Sequence, residues 1–190
     1  MSLNQPRSKK VSYQEYLSWP DEPRYEIING IPYLHAAPLR QHQQILTRLL
    51  VELHAILKKR NCEVYPAPFD VRLSAAIDEE EFQVVQPDLS VICDDNKLDV
   101  RGCKGAPELI VEVLSPSTWK RDRIEKLNLY QKYGVREYVL IYPNEKIVEQ
   151  YKLNENGQYE PPVIFNENDD YTSTIFPESG KIPLNAIFQR

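Results

Sequence analysis

Two acidic side chains stand where a hydrophobic interior is expected. Glu112 interrupts the run LIVEVL, and Asp88 follows Pro87 at the head of DLSVI. Ionised carboxylates are rarely buried unless they are paired or hold a metal, because taking the ion out of water is costly. For either residue alone, an outward-facing side chain or a structural lysine partner explains the position as well as a function does. Two of them on neighbouring predicted strands point to joint chemistry. A pair of carboxylates suits Mg²⁺, which prefers one or two such ligands and keeps waters for a substrate phosphate.

A predicted helix supplies the third group. Wound at about 3.6 residues per turn, Trp119, Asp122, Lys126, Leu129, Tyr130 and Tyr133 fall on one stripe. That stripe is the helix's most aromatic face, so it is expected to look inward with Asp122 and Lys126 in it. The plain alternative is an i,i+4 ion pair on a solvated face. If Lys126 instead reaches over the carboxylates, it can orient an attacking water and balance charge in the transition state.

The elements that must hold these residues are legible in outline. Ser12 caps a short helix, SYQEYLSWP, which Pro20 ends. Asn29-Gly30 separates the apolar runs of YEIINGIPYL, a hairpin signal. From Leu39 to Arg60, Ile45, Leu49, Leu53, Ile56 and Leu57 recur at helical spacing. FDVRLS reads as a strand and IDEEEF as an exposed acidic loop. VVQPDLSVIC, PELIVEVLS and EYVLIYP are short, β-rich apolar runs of the kind found in strands covered on both faces. Between the second and third lies a helix opening at Ser117 or Thr118 and closing at Gly134, which makes a strand–helix–strand crossover. KIVEQYKLN, YTSTIF and IPLNAIF read as further strands and a terminal turn. Residues 1–190 are expected to form one domain, with 1–10 frayed.

Composition narrows the class. At 190 residues, with 42% hydrophobic and 27% charged residues, the chain has ordinary globular usage. It has no apolar run long enough to cross a bilayer and no apolar stretch after the N-terminal basic residues, so a cytoplasmic location is expected. Cys62, Cys93 and Cys103 show no paired spacing, so isolated thiols are expected rather than a disulfide or zinc site. The net charge of −5 is unlike a non-specific nucleic-acid binder. Basic runs at Lys58-Lys59-Arg60 and at Lys120, Arg121, Arg123 and Lys126 offset it locally. No phosphate loop, dinucleotide fingerprint, nucleophile elbow or zinc-helix motif is present.

The stretches YEIING, YPAPFDVRLS, VVQPDLSVI and GAPELIVEVLSPST, with Asp122, Lys126 and Tyr130 in D-x-x-x-K-x-x-x-Y before GVREYVLIYP, resemble the Uma family of restriction endonucleases, part of the PD-(D/E)XK nuclease superfamily. The resemblance implies an α/β, restriction-endonuclease-like fold with a mixed central sheet flanked by helices. It implies Mg²⁺, or Mn²⁺ in its place, held by Asp88, Glu112 and the backbone carbonyl of Val113. It further implies catalytic roles for Lys126 and Glu26, and supporting roles for Asp122 and His42. Leu114 stands where the superfamily places its lysine, two residues after Glu112, and Lys126 on the following helix takes that part. Glu26 facing solvent and His42 as a surface or capping residue are the alternatives at those positions.

The expected function is hydrolysis of DNA phosphodiester bonds by metal-activated water, with Lys120, Arg121 and Arg123 contacting the backbone. A homodimer is expected if two strands are cut. Two other readings stay open: a nuclease-fold module that binds nucleic acid or protein without cutting, and a hydrolase of another phosphoester.

Overall fold

The computed structural model describes residues 10–35, 37–58, 60–116 and 118–189. The expected fraying of 1–9, Ser117 as a cap and Lys59 of the first basic run lie outside the described residues.

The chain opens with α1 (Tyr13–Tyr16), whose cap is Ser12 Oγ accepting the Glu15 N–H at 3.3 Å. The hairpin of β1 (Tyr25–Ile28) and β2 (Ile31–Leu34) turns at Asn29 and Gly30, with φ of 55° and 79°. Both residues tolerate that left-handed region, which a tight hairpin requires. The long helix α2 (Arg40–Leu57) follows. Next come β3 (Glu63–Pro66), β4 (Asp70–Arg72), β5 (Gln83–Val85), β6 (Leu89–Ile92), β7 (Leu98–Asp99), β8 (Gly102–Lys104) and β9 (Leu109–Val113). The crossover from β9 runs through a widely wound turn, Arg121–Lys126, into α3 (Leu127–Tyr133). Gly134 stops the helix at φ 83°, and β10 (Glu137–Tyr142) returns parallel to β9. Then follow β11 (Ile147–Lys152), β12 (Val163–Asn166), β13 (Asp170–Tyr171), β14 (Ile182–Pro183) and α4 (Leu184–Phe188).

The α/β class is as expected, but two six-stranded sheets stand in place of one central sheet. One has the order β2-β1-β5-β4-β8-β7, the other β12-β11-β10-β9-β6-β3, and β13 and β14 form a separate pair. The run VVQPDLSVIC is therefore not one strand. It breaks at Gln86-Pro87, where proline offers no N–H to extend a ladder, so β5 ends in the first sheet and β6 begins in the second. Asp88 sits at that crossing.

The second sheet is covered on both faces, and period-2 alternation decides which side each residue takes. Leu109, Val111 and Val113 pack with Val139 and Ile141 against Leu49, Leu53 and Leu57 of α2 and Ile187 of α4. Ile110 and Leu114 pack with Tyr138 and Leu140 against the first sheet and α3. Glu112 shares that second face by alternation. Its carboxylate is thus carried into the seam between sheets and crossover helix.

Several local expectations change. Cys62 and Cys93 form a disulfide. The antiparallel register Glu63↔Ile92 sets them opposite each other at the next position, with Cα atoms 4.0 Å apart, a proximity that spacing in sequence could not reveal. In IDEEEF, Glu81 is fully buried and accepts the Gln83 N–H at 2.9 Å. YTSTIF contributes strand only at Tyr171; its loop is gathered by the buried Glu137, which accepts from Ser173 and from Thr174 N–H and Oγ1.

Candidate active site

Lys126 is the centre of the site. Its Nζ lies 2.7 Å from Glu112 Oε1, 2.8 Å from Glu26 Oε1 and 3.6 Å from Asp122 Oδ1. The three carboxylates arrive from β9, β1 and the widened turn respectively. Tyr130, one turn further along α3, donates to Glu112 Oε1 at 2.9 Å, and the Gln86 N–H donates to Glu26 Oε1 at 3.0 Å. Beside them Asp88 Oδ2 accepts the Val113 N–H at 2.7 Å and lies 3.0 Å from His42 Nε2. The stretch from Arg121 to Lys126 is wound as a π-helix, a geometry that recurs at functional sites. The Asp122 carbonyl accepts a 3.0 Å hydrogen bond from Tyr138 of β10, fixing the widened turn to the sheet.

Burial sets the charge balance. Glu26, Glu112 and Lys126 are only 2%, 5% and 3% exposed, and Asp88 is 8% exposed. Burial disfavours the Lys126 ammonium, but Glu112, Glu26 and Asp122 outweigh it and hold the lysine well above its ordinary pKa. Burial is also what raises Glu112 well above the glutamate range. Lys126 pulls it down, while Asp122, Asp88 and Glu26 push it further up. Asp122 is raised by burial too, against the pull of Lys126. Three carboxylates surround one ammonium, with Asp88 beside them, so the site favours uptake of protons or of a further cation.

The site opens into a cleft of about 710 Å³. Its floor includes Glu26, Asp88, Glu112 and Lys126; its walls include Leu34, Leu39, Pro68 and Arg121.

Residues 13–185 match the family Uma2, described as "Putative restriction endonuclease". The chain belongs to that family. It is 28% identical over 153 residues to "Uncharacterized protein slr1290" of Synechocystis sp., a match covering 79% of this chain and 78% of the relative. Its fold matches a crystal structure from Anabaena variabilis, described as "a putative nuclease belonging to DUF820". The TM-score is 0.74 at 19% identity, over 94% of this chain and 97% of the other. That likeness establishes a restriction-endonuclease-like fold for the Uma2 chain.

Of the residues singled out in the sequence, Asp88, Glu112, Lys126, Glu26, Asp122 and His42 all converge on this floor. Lys126 meets Glu112 and Glu26, whereas Asp88 is held by His42 and Val113. Leu114, in the superfamily's lysine position, is buried in the core. The basic trio separates. Arg121 lines the cleft, 4.3 Å above the Tyr33 ring. Arg123 instead pairs with Glu149 at 3.5 Å, and Lys120 is exposed outside the cleft lining. Trp119 is half exposed rather than inward, because the wider winding that follows rotates it off the stripe. Three contributors went unread. Tyr130 shares the inward stripe, and its hydroxyl reaches Glu112. His35 comes within 3.9 Å of Glu26. Gln86 ties Glu26 through its N–H and Asp70 through its side chain at 2.8 Å. The Tyr130 signal was available, four residues after Lys126 on the same stripe; the other two contacts depend on tertiary register.

The donor set suits the metal that the resemblance implies. Hydrogen bonds among the described residues use Asp88 Oδ2 and Glu112 Oε1, leaving Asp88 Oδ1 and Glu112 Oε2 without such partners. Among those residues no group of three or more His, Cys, Asp or Glu is arranged to hold a metal. A carboxylate pair completed by water or substrate is what Mg²⁺ accepts. No helix among the described residues is long and apolar enough to cross a membrane.

Proposed function

We propose that this Uma2 protein is a metal-dependent endonuclease that hydrolyses DNA phosphodiester bonds, with Mg²⁺, or Mn²⁺ in its place, held by Asp88, Glu112 and the Val113 carbonyl. The observation that carries the reading is the delivery of Lys126 from the crossover helix onto Glu112, at 2.7 Å. A lysine two residues along the strand is replaced by a lysine that reaches the same carboxylate from outside it.

When bound, the cation would supply an activated water and polarise the phosphoryl oxygen. The protein's own groups do the rest. His42 and the Val113 N–H fix Asp88 through one oxygen, which leaves the other for a cation. Tyr130 does the same for Glu112. Lys126 holds a proton at Nζ and offers it to charge building on the phosphate, where a fixed donor in a dry site acts strongly. Glu26 and Asp122 keep the ammonium aimed. Arg121, at the cleft wall, is placed to meet a phosphate of the incoming strand. We assign residues 1–190 to a single nuclease domain.

Supercoiled plasmid incubated with Mg²⁺ or Mn²⁺ tests this. Nicked or linear product is expected with metal, and none with chelator or with Asp88→Ala or Glu112→Ala. A lone site passes through nicked circles, whereas a homodimer gives linear product early. Equal cutting by both variants would refute the assignment.

A further inference from the structure

We infer that the cleft receives an unpaired nucleotide, so that the favoured DNA is single-stranded or locally opened rather than intact duplex. The inference rests on the nuclease reading above and names the substrate form for that site.

The first observation is depth. Glu26, Glu112 and Lys126 are almost wholly buried at the cleft floor, so a phosphate must descend to them. The attached base has to follow into a volume of about 710 Å³, within the roughly 300–1,000 Å³ usual for small-ligand pockets. A paired, stacked base cannot make that move without leaving its partner.

The second observation is the character of the walls. Leu34 and Leu39 are 58% and 66% exposed, and Pro68 faces the same cleft. A sugar–phosphate backbone, charged and largely polar, gains less from aliphatic walls than a base, which presents a broad apolar face to them. The third is Arg121. No carboxylate among the described residues pairs with it, and its guanidinium carbon sits 4.3 Å from the centre of the Tyr33 ring. It can therefore neutralise a phosphate while the pair offers a surface for a neighbouring base. Arg123 is instead engaged by Glu149, and the net charge is −5. That leaves little to attract the dense charge of a duplex.

The test uses oligonucleotides of one sequence as single strand, duplex and duplex with a central unpaired bubble. Binding is read by fluorescence anisotropy with Ca²⁺ replacing Mg²⁺, and cleavage with Mg²⁺. Single strand and bubble should bind and be cut at least about tenfold better than duplex, and the combined L34S and L39S substitutions should erase that margin, as loss of one base contact would. Mg²⁺ affinity by calorimetry should be unaffected, since neither leucine meets the carboxylates. Duplex handled as well as single strand, or a margin untouched by the substitutions, would overturn this inference alone if metal-dependent cutting persists. A binding margin that the substitutions erase, with no cutting of any substrate, would uphold the cleft's occupant and defeat the nuclease reading.

Discussion

Lys126 and Glu112 set each other's charge, and this makes the site's protonation measurable. Glu112 is raised above its ordinary value of 4.5. The stability its neutral form contributes is fully present below that value and is lost as pH rises through the folded one. Lys126, raised above 10.5, contributes evenly across the whole neutral range and so adds no slope there. Metal-free protein should therefore lose stability as pH rises above the ordinary glutamate range, and Glu112→Gln should flatten the decline. Urea unfolding in chelator at a series of pH values checks this; an equal slope in the variant would mean another group titrates. The same proton predicts how metal enters. Because a ligand must be ionised, Mg²⁺ binding should expel protons and tighten with rising pH. Calorimetry in buffers of different ionisation heat reads the proton count directly.

At the scale of elements, the widened turn Arg121–Lys126 carries both Asp122 and Lys126, and Tyr138 anchors its Asp122 carbonyl at 3.0 Å. Tyr138→Phe should cost about 0.5–1.5 kcal/mol, the net worth of one hydrogen bond. It should lower cleavage without loosening metal, a split visible by comparing rate with calorimetric affinity. The disulfide supports a different end of the same strands. Cys62 and Cys93 are 31 residues apart in sequence, and opening a loop of that size should cost roughly 3–4 kcal/mol on the chain-entropy account. Cys93→Ala should melt earlier yet keep its activity, because Cys93 and Asp88 flank opposite ends of β6. What the sequence revealed follows the range of each contact. The crossover β9–α3–β10, the hairpin at Asn29-Gly30 and the stripe uniting Asp122, Lys126 and Tyr130 are local patterns, and all are in place. The break at Pro87, the Cys62–Cys93 pair and the meeting of Glu26 with Lys126 depend on how distant strands register. No spacing rule encodes those. The carboxylates were legible for a further reason: a charge inside an apolar strand is a local anomaly wherever its partners lie.

Across the whole molecule, the candidate site lies at the seam where two sheets exchange a chain. β5 closes the first sheet, Gln86-Pro87 breaks the ladder, and Asp88 emerges beside Glu112 at the start of the second. The crossover helix then lays Lys126 over the joint, while β2 and the start of α2 raise the apolar wall. This arrangement predicts that the basic residues act unequally. Arg121→Gln should weaken DNA binding and reduce its salt slope by about 0.7–0.9, one phosphate contact. Neutralising Lys120 and Arg123 together should change the slope less, since neither lines the cleft. Binding titrations at several salt concentrations separate the cases, and equal effects would move the DNA path to the outer face of the helix. In the proposed reaction, a lysine displaced onto the crossover helix performs the work of one on the strand. Single-turnover cleavage by Lys126→Ala at saturating Mg²⁺ is the decisive measurement. A fall of about 10²–10³-fold, typical of losing one electrostatic stabiliser, is expected, with Mg²⁺ affinity retained and partial recovery in Lys126→Arg. A folded Lys126→Ala protein that cuts at the parent rate would contradict it.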